Sequence, residues 1–166
     1  MLTLEPWSES RFGVLEACNS TEMTAFLGGP ESPEKLADRH RRYLNFVSTG
    51  RDAWPFCALL DGEAIGSIGY WEDENAYEIG WAIIPAFQGR GLAAAAVSLA
   101  LDDAAARGGF STMTACPGVD NLASNALARR LGFELAGEET IEYPPGRFMQ
   151  ANRWNYDLTQ RQGSTH

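Results

Sequence analysis

The run Ile83-Ile84-Pro85-Ala86-Phe87-Gln88-Gly89-Arg90-Gly91-Leu92-Ala93 is the part of this chain best suited to holding an anion. An apolar strand over 77–84 stops at Pro85, a Gln-Gly-Arg-Gly turn follows, and an alanine-rich helix starts at once. That order predicts a row of unpaired main-chain amides at Gln88, Gly89, Arg90, Gly91, Leu92 and Ala93, with the positive end of the helix dipole behind them. Such a row binds phosphate. Gly89 and Gly91 let the backbone approach a pyrophosphate with no Cβ in the way. Other reactive side chains are scattered. Cys18, Cys57 and Cys116 are odd in number and far apart, which suits reduced thiols rather than a disulfide frame or a metal site. Cys116 reads as a small buried filler at a strand end. His40 falls on the apolar face of a helix, the place of a packing or boundary histidine.

The elements that must position this turn follow from periodicity and punctuation. Residues 2–4 read as a first strand, 8–17 as a helix, and 23–30, with Gly28-Gly29-Pro30, as a break. Ser32-Pro33-Glu34 is an N-cap followed by proline at the first helical position. Leu36, His40, Tyr43, Leu44 and Val47 then line one helical face, which Gly50 ends. Residues 56–60 and 64–71 read as strands joined through Asp61-Gly62, a hairpin signal. Glu72-Asp73-Glu74 is a solvated acidic turn. Strand 77–84, the glycine turn, a helix to about 107 and strand 111–116 follow. Helix 121–131 is stopped by Gly132, and strands 134–140 and 152–158 are joined by a loop holding Tyr143-Pro144-Pro145-Gly146. Strand 77–84, its helix and strand 111–116 form a right-handed crossover with parallel strands. The prediction is an α+β domain over 1–159, a mixed and mostly antiparallel sheet with helices on both faces, followed by a frayed tail over 160–166.

Bulk properties narrow the partners. The 166 residues suffice for one full core, and the apolar content of 45% is ordinary for a globular protein. No apolar run reaches the ~18 residues of a membrane span. The first residues, Met1-Leu2-Thr3-Leu4-Glu5-Pro6-Trp7, have no basic start and no cleavable apolar stretch, so a cytoplasmic location is expected. A formal charge of −9 repels nucleic-acid backbones and is compatible with a cationic or amine acceptor.

Two motifs carry a resemblance. Gln88-Gly89-Arg90-Gly91-Leu92-Ala93 is similar to the Gln/Arg-x-x-Gly-x-Gly/Ala turn of the GNAT superfamily of acyl-CoA N-acyltransferases. Asn121, Ser124, Leu127 and Leu131-Gly132-Phe133 resemble that superfamily's next helix. Phe26-Leu27-Gly28-Gly29-Pro30 ahead of a helix resembles the RimJ/RimL-like branch, which acetylates protein N-terminal amines and other small amines. The resemblance implies acetyl-CoA as cofactor, no metal, and direct transfer of an acetyl group to a primary amine in a ternary complex. A homodimer is compatible with it. It implies that the amides of 88–93 cradle the coenzyme A pyrophosphate. Trp81, Ala82 and Ile83 would offer strand-edge groups to the pantetheine arm, in a V-shaped slot where this strand splays from the next. A backbone N–H near 81–83 would hold the oxyanion. Asn121 would hydrogen-bond the pantetheine, with Ser124 and Asn125 against the cofactor. Many members carry a tyrosine just after the Leu of the second motif, as acid for the leaving thiolate. Ala128 stands there in this chain, and Tyr143 is the candidate substitute.

The chemistry implied needs a neutral amine, so an alkylammonium must first lose a proton, and a carboxylate acting through water can take it. Glu78, on the strand entering the slot, is the candidate base. It shares a face with Gly80 and Ala82, opposite Ile79, Trp81 and Ile83, and either face could meet the acceptor. Trp81 suits core or slot wall. Arg129 and Arg130 form an exposed helix face or meet the 3′-phosphate of coenzyme A. Two other functions compete. The missing tyrosine lends weight to a non-catalytic acyl-CoA sensor. Gly89-x-Gly91-x-x-Ala94 also fits loosely a dinucleotide-binding oxidoreductase. Against the latter, residues 85–88 separate the strand from the first glycine, and no acidic residue closes a second strand about 20 positions later.

Overall fold

The computed structural model describes residues 1–162. The strands are β1 (Leu2–Pro6), β2 (Ala53–Leu60), β3 (Glu63–Asp73), β4 (Ala76–Ile83), β5 (Thr112–Ala115), β6 (Glu134–Glu142) and β7 (Phe148–Asp157). The helices are α1 (Phe12–Ala17), α2 (Pro33–Thr49), α3 (Leu92–Arg107), α4 (Leu122–Arg130) and α5 (Thr159–Gln162). The strands make one seven-stranded sheet in the order β1-β2-β3-β4-β5-β7-β6. Only β4 and β5 pair in parallel, through the α3 crossover; the other neighbours are antiparallel. The expected α+β architecture is the one observed.

Local chemistry explains the boundaries. Asp61 (φ 50°) and Gly62 (φ 87°) both sit in the left-handed region, as a tight two-residue hairpin turn requires. β2 starts at Ala53, earlier than expected, with Pro55 inside it. The β1 ladder ends at Pro6↔Phe56, so the N–H that Pro55 lacks would have pointed past the end of β1. There the Pro55 carbonyl still accepts from the Trp7 amide at 3.0 Å. β7 likewise starts at Phe148 rather than 152, because the hairpin ladder runs out to Glu142↔Phe148. The helix expected over 8–17 is a 3₁₀ turn, Glu9–Arg11, followed by α1.

Side chains alternate between two cores. On one face of the sheet Phe56, Ala58, Ile68, Tyr70, Tyr77 and Ile79 pack on Ala96, Val97, Ala100, Leu101 and Ala104 of α3. On the other face Cys57 and Leu59 meet Trp7, Val14, Leu15 and Leu36 beneath α1 and α2. His40 belongs to the edge of this second core. Its Nδ1 accepts from Trp7 Nε1 at 3.0 Å, and its ring stands edge-on to Trp7 and Phe12. Residues 160–162, expected in a frayed tail, complete α5 instead. Arg161 anchors that turn by donating to the Ser98 carbonyl (2.9 Å), Asp102 Oδ1 (2.7 Å) and the Tyr156 hydroxyl (3.0 Å). The rest of the expected tail, 163–166, lies outside the described residues. Among the described residues no helix is long and apolar enough to cross a membrane.

Candidate active site

The slot follows from strand length. β4 and β5 are in register only at Tyr77↔Met113 and Glu78↔Thr114. Beyond that point β4 continues to Ile83 while β5 stops at Ala115, so β4 loses its neighbour on one edge. The hydrogen bond from the Ile84 amide to the Ile65 carbonyl (2.8 Å) fixes the phase of the β3–β4 ladder. The pairs Ser67↔Ala82 and Gly69↔Gly80 share that phase, so their main-chain groups face each other. The groups of Ile79, Trp81 and Ile83 therefore point the other way, into the opening. Two contacts agree with this phase. The Tyr77 carbonyl accepts from the Thr114 hydroxyl (3.1 Å), and the Ile83 carbonyl from Gln88 Nε2 (2.9 Å). Ala82 is thus corrected: β3 uses its main chain, and the slot edge is offered by Ile79, Trp81 and Ile83. Trp81 packs half-buried against the α3 core, as a wall.

The glycine turn lies at the open end of β4. Gly89 (φ 77°) and Gly91 (φ 74°) adopt the left-handed conformation, and Gly91 is the N-cap of α3 with no side chain capping the helix. The Gln88 amide is bound to the Pro85 carbonyl (3.2 Å), and the first helical bond runs from the Ala95 amide to the Gly91 carbonyl (3.3 Å). Among the described residues, the amides from Gly89 to Ala94 make no hydrogen bond. The ladder therefore starts one residue later than expected, at Gly89, and runs to Ala94. A Cβ at Gly89 or Gly91 would meet nothing within 4 Å, so the space before these amides is open. Six free donors at a helix start, opened by left-handed glycines, fit a diphosphate. Gln88 acts through its side chain, which also donates to Met23 Sδ (3.0 Å). The Arg90 guanidinium lies 5.8 Å from the centre of the Phe87 ring.

The second motif divides by role. Asn121 caps α4, its Oδ1 accepting from the Ser124 amide (3.2 Å). The Ser124 hydroxyl has no partner among the described residues. Asn125 is spent on the protein itself. Its Nδ2 donates to the carbonyls of Gly118 (3.0 Å) and Asn121 (2.8 Å), and its Oδ1 accepts from Asn152 Nδ2 (2.9 Å) and Trp154 Nε1 (2.8 Å). With every amide position used, Asn125 is a knot between α4 and β7 rather than a ligand-binding group. Ala128 is fully buried in the α3 core. Arg129 stacks on Trp154, 5.4 Å from the ring centre.

Glu78 stands where the slot opens. Its face is that of Ile84, which packs under α1 and α2, so the side chains of Glu78 and Ala82 turn away from α3. The half-buried carboxylate accepts from Cys116 Sγ at 3.5 Å. Burial holds the Glu78 carboxyl above the usual glutamate range; the Cys116 hydrogen bond and Arg153 oppose this, while Asp73 and Glu139 add to it. Cys116 also lies 3.7 Å from Glu139 Oε1, and Arg153 Nη1 lies 3.7 Å from Glu139 Oε2. This cluster carries no letter pattern, and the registers of β4 against β5, β5 against β7 and β7 against β6 together assemble it. Tyr143 is not brought to it. Its hydroxyl accepts from Arg39 Nη2 (3.3 Å), and Arg39 is paired with Glu31 (2.5 Å). In the segment 20–31, a Cβ at Gly28 would lie 3.1 Å from Arg147 Cδ and 3.2 Å from Pro144 Cδ.

Comparison with known proteins agrees with this geometry. Residues 1–134 match the acetyltransferase (GNAT) domain family. The aminoglycoside N(6′)-acetyltransferase type 1 of Serratia marcescens is 26% identical over 96% of this chain and 87% of its own length. A RimL ribosomal L7/L12 alpha-N-protein acetyltransferase superposes with a TM-score of 0.80 at 26% identity, over 94% of this chain and 90% of that one. The spermidine N-acetyltransferase of Vibrio cholerae, solved with coenzyme A and spermine, shares the fold with a TM-score of 0.81 at 18% identity, over 98% of each chain. A slot at the end of a parallel pair, a free amide ladder beside it and this match over most of the sequence lead to one conclusion: the chain belongs to the GNAT acetyltransferases and is an N-acetyltransferase that uses acetyl-CoA.

Proposed function

We propose that this enzyme acetylates a primary amine, either a protein N-terminus or a small amine, by direct transfer in a ternary complex with Glu78 as the base. The observation that carries the reading is the parting of β4 from β5 immediately past Glu78. When bound, acetyl-CoA supplies an activated acyl thioester. The amides from Gly89 to Ala94 would hold its diphosphate, and the slot-facing groups of Ile79, Trp81 and Ile83 its amide-bearing arm. An N–H of Trp81 or Ile83 is positioned to receive the charge that develops on a carbonyl oxygen. Glu78, acting through water, takes a proton from the acceptor ammonium. Its neighbours Glu139 and Asp73 give this face a negative field that favours a cationic acceptor. Ala128 offers no acid, and none is required: a thiol with an ordinary pKa of about 8.5 can leave as its anion. Residues 1–159 are read as one acyltransferase domain working in the cytoplasm, and sizing in solution tests a homodimer.

Thiol release followed across an amine panel, with mass detection of the product, identifies the acceptor; no release with any amine would leave a binding module. The pH dependence tests Glu78. Its raised carboxyl protonates at a higher pH than free glutamate, so kcat/KM is expected to fall as pH drops through that raised value. E78Q should lose this limb and run about 100-fold slower near neutral pH, the gap narrowing as pH approaches the amine's own pKa. Stability has the opposite sign. The folded state binds this proton more tightly than the unfolded chain, so ionising Glu78 costs stability as pH rises through the raised value. E78Q is expected to melt higher than wild type at neutral pH, with the difference closing in acid.

A further inference from the structure

Cys116 lies just past the end of β5, with two carboxylates in reach of one sulfur: Glu78 Oε1 at 3.5 Å and Glu139 Oε1 at 3.7 Å. A thiol has a single proton to donate, so it serves one of them at a time. It stays a thiol, because burial first and the charge of Glu78 next push it up to about 12. That makes it a donor rather than a nucleophile. The charged and titratable groups facing Glu78 are Asp73 from β3, Cys116, Glu139 from β6 and Arg153 from β7. Arg153 is the only cation among them and is committed to Glu139. Without a donor, Glu78 would face two like charges on a strand whose neighbour has just left.

We propose that Cys116 is a positioning residue for the transfer: its S–H tethers Glu78 Oε1 beside β5, leaves Oε2 for the acceptor, and swings to Glu139 when Glu78 takes up a proton. The proposal rests on the reading of Glu78 as base. The sulfur neither gains nor loses a proton in this cycle; only the direction of its S–H changes. Glu139, paired with Arg153 and within reach of the sulfur, is the waiting acceptor, so the thiol is never left without one.

The test uses full-length enzyme with [5-¹³C]glutamate, the Glu78 resonance being the one missing in E78Q. C116A is expected to raise the Glu78 titration midpoint by about one pH unit, a tenfold gain in proton affinity. It should also lower kcat by about tenfold with the KM for acetyl-CoA unchanged. C116S keeps a donor and should return both values toward wild type. An unmoved midpoint in C116A overturns the tether. A moved midpoint with unchanged kcat overturns the positioning role. Failure of the base reading is seen separately, as a wild-type pH–rate limb persisting in E78Q.

Discussion

At its C-terminal end α3 is bound into the sheet by several polar contacts, while among the described residues the amides at its N-terminal end make no hydrogen bond. Arg107 Nε donates to the Tyr70 hydroxyl (2.8 Å), its Nη2 pairs with Asp103 (3.1 Å), and its guanidinium lies 4.5 Å from the Trp54 ring centre. Tyr70 in turn donates to Asp103 (2.5 Å), and Tyr77 donates to the Gly108 carbonyl. The other end has glycine as N-cap and bare amides. A Ser, Thr, Asp or Asn cap would contribute a few tenths of a kcal/mol over glycine and satisfy one of these amides. The helix forgoes it and is secured at the far end, by groups that never touch the turn. On the proposed reading, stability and binding fall to opposite ends of one element.

Substitutions at the two ends should separate the two properties. G91E is expected to have the largest effect, filling the space before the amides with a bulky anion. Acetyl-CoA affinity measured by calorimetry should fall at least about 100-fold, while left-handed strain costs only about 1–2 kcal/mol of stability. If G91E binds normally, the bare end is not the cradle. R107A is the reverse experiment. Loss of the ring contact and hydrogen bonds should remove about 2 kcal/mol in denaturant unfolding, with the acetyl-CoA Kd unchanged. Y143F, remote from both ends, should have the smallest effect. It loses one exposed bond to Arg39, worth less than about 1 kcal/mol, and leaves the pH profile of kcat in place.

What the sequence made legible was local. The glycine turn at 88–91 and the Asp61-Gly62 hairpin are each written within a few residues. So was the order of strand, turn and helix that frees the amides. Pairings across the sheet were hidden. Cys116 and Glu78 are 38 positions apart, and Asn125 meets Trp154 at a distance of 29 positions. Nothing in the letters around Cys116 says that its neighbour is a carboxylate, so it read as a filler. Ala82 was assigned to the slot because residue spacing cannot give the phase of a ladder, which depends on how β3 docks. The Gln88 amide was misassigned for a related reason: whether Pro85–Phe87 closes as a 3₁₀ turn is decided by geometry.

Segment 20–31 has a mechanical consequence. It is fastened at Met23 to Gln88 and at Glu31 to Arg39, which also holds Tyr143, while at Gly28 there is no room for a side chain beside Pro144 and Arg147. Gln88 holds it with the same amide that covers the Ile83 carbonyl. A donor that took that oxygen from Gln88 would loosen the hold on Met23 as well.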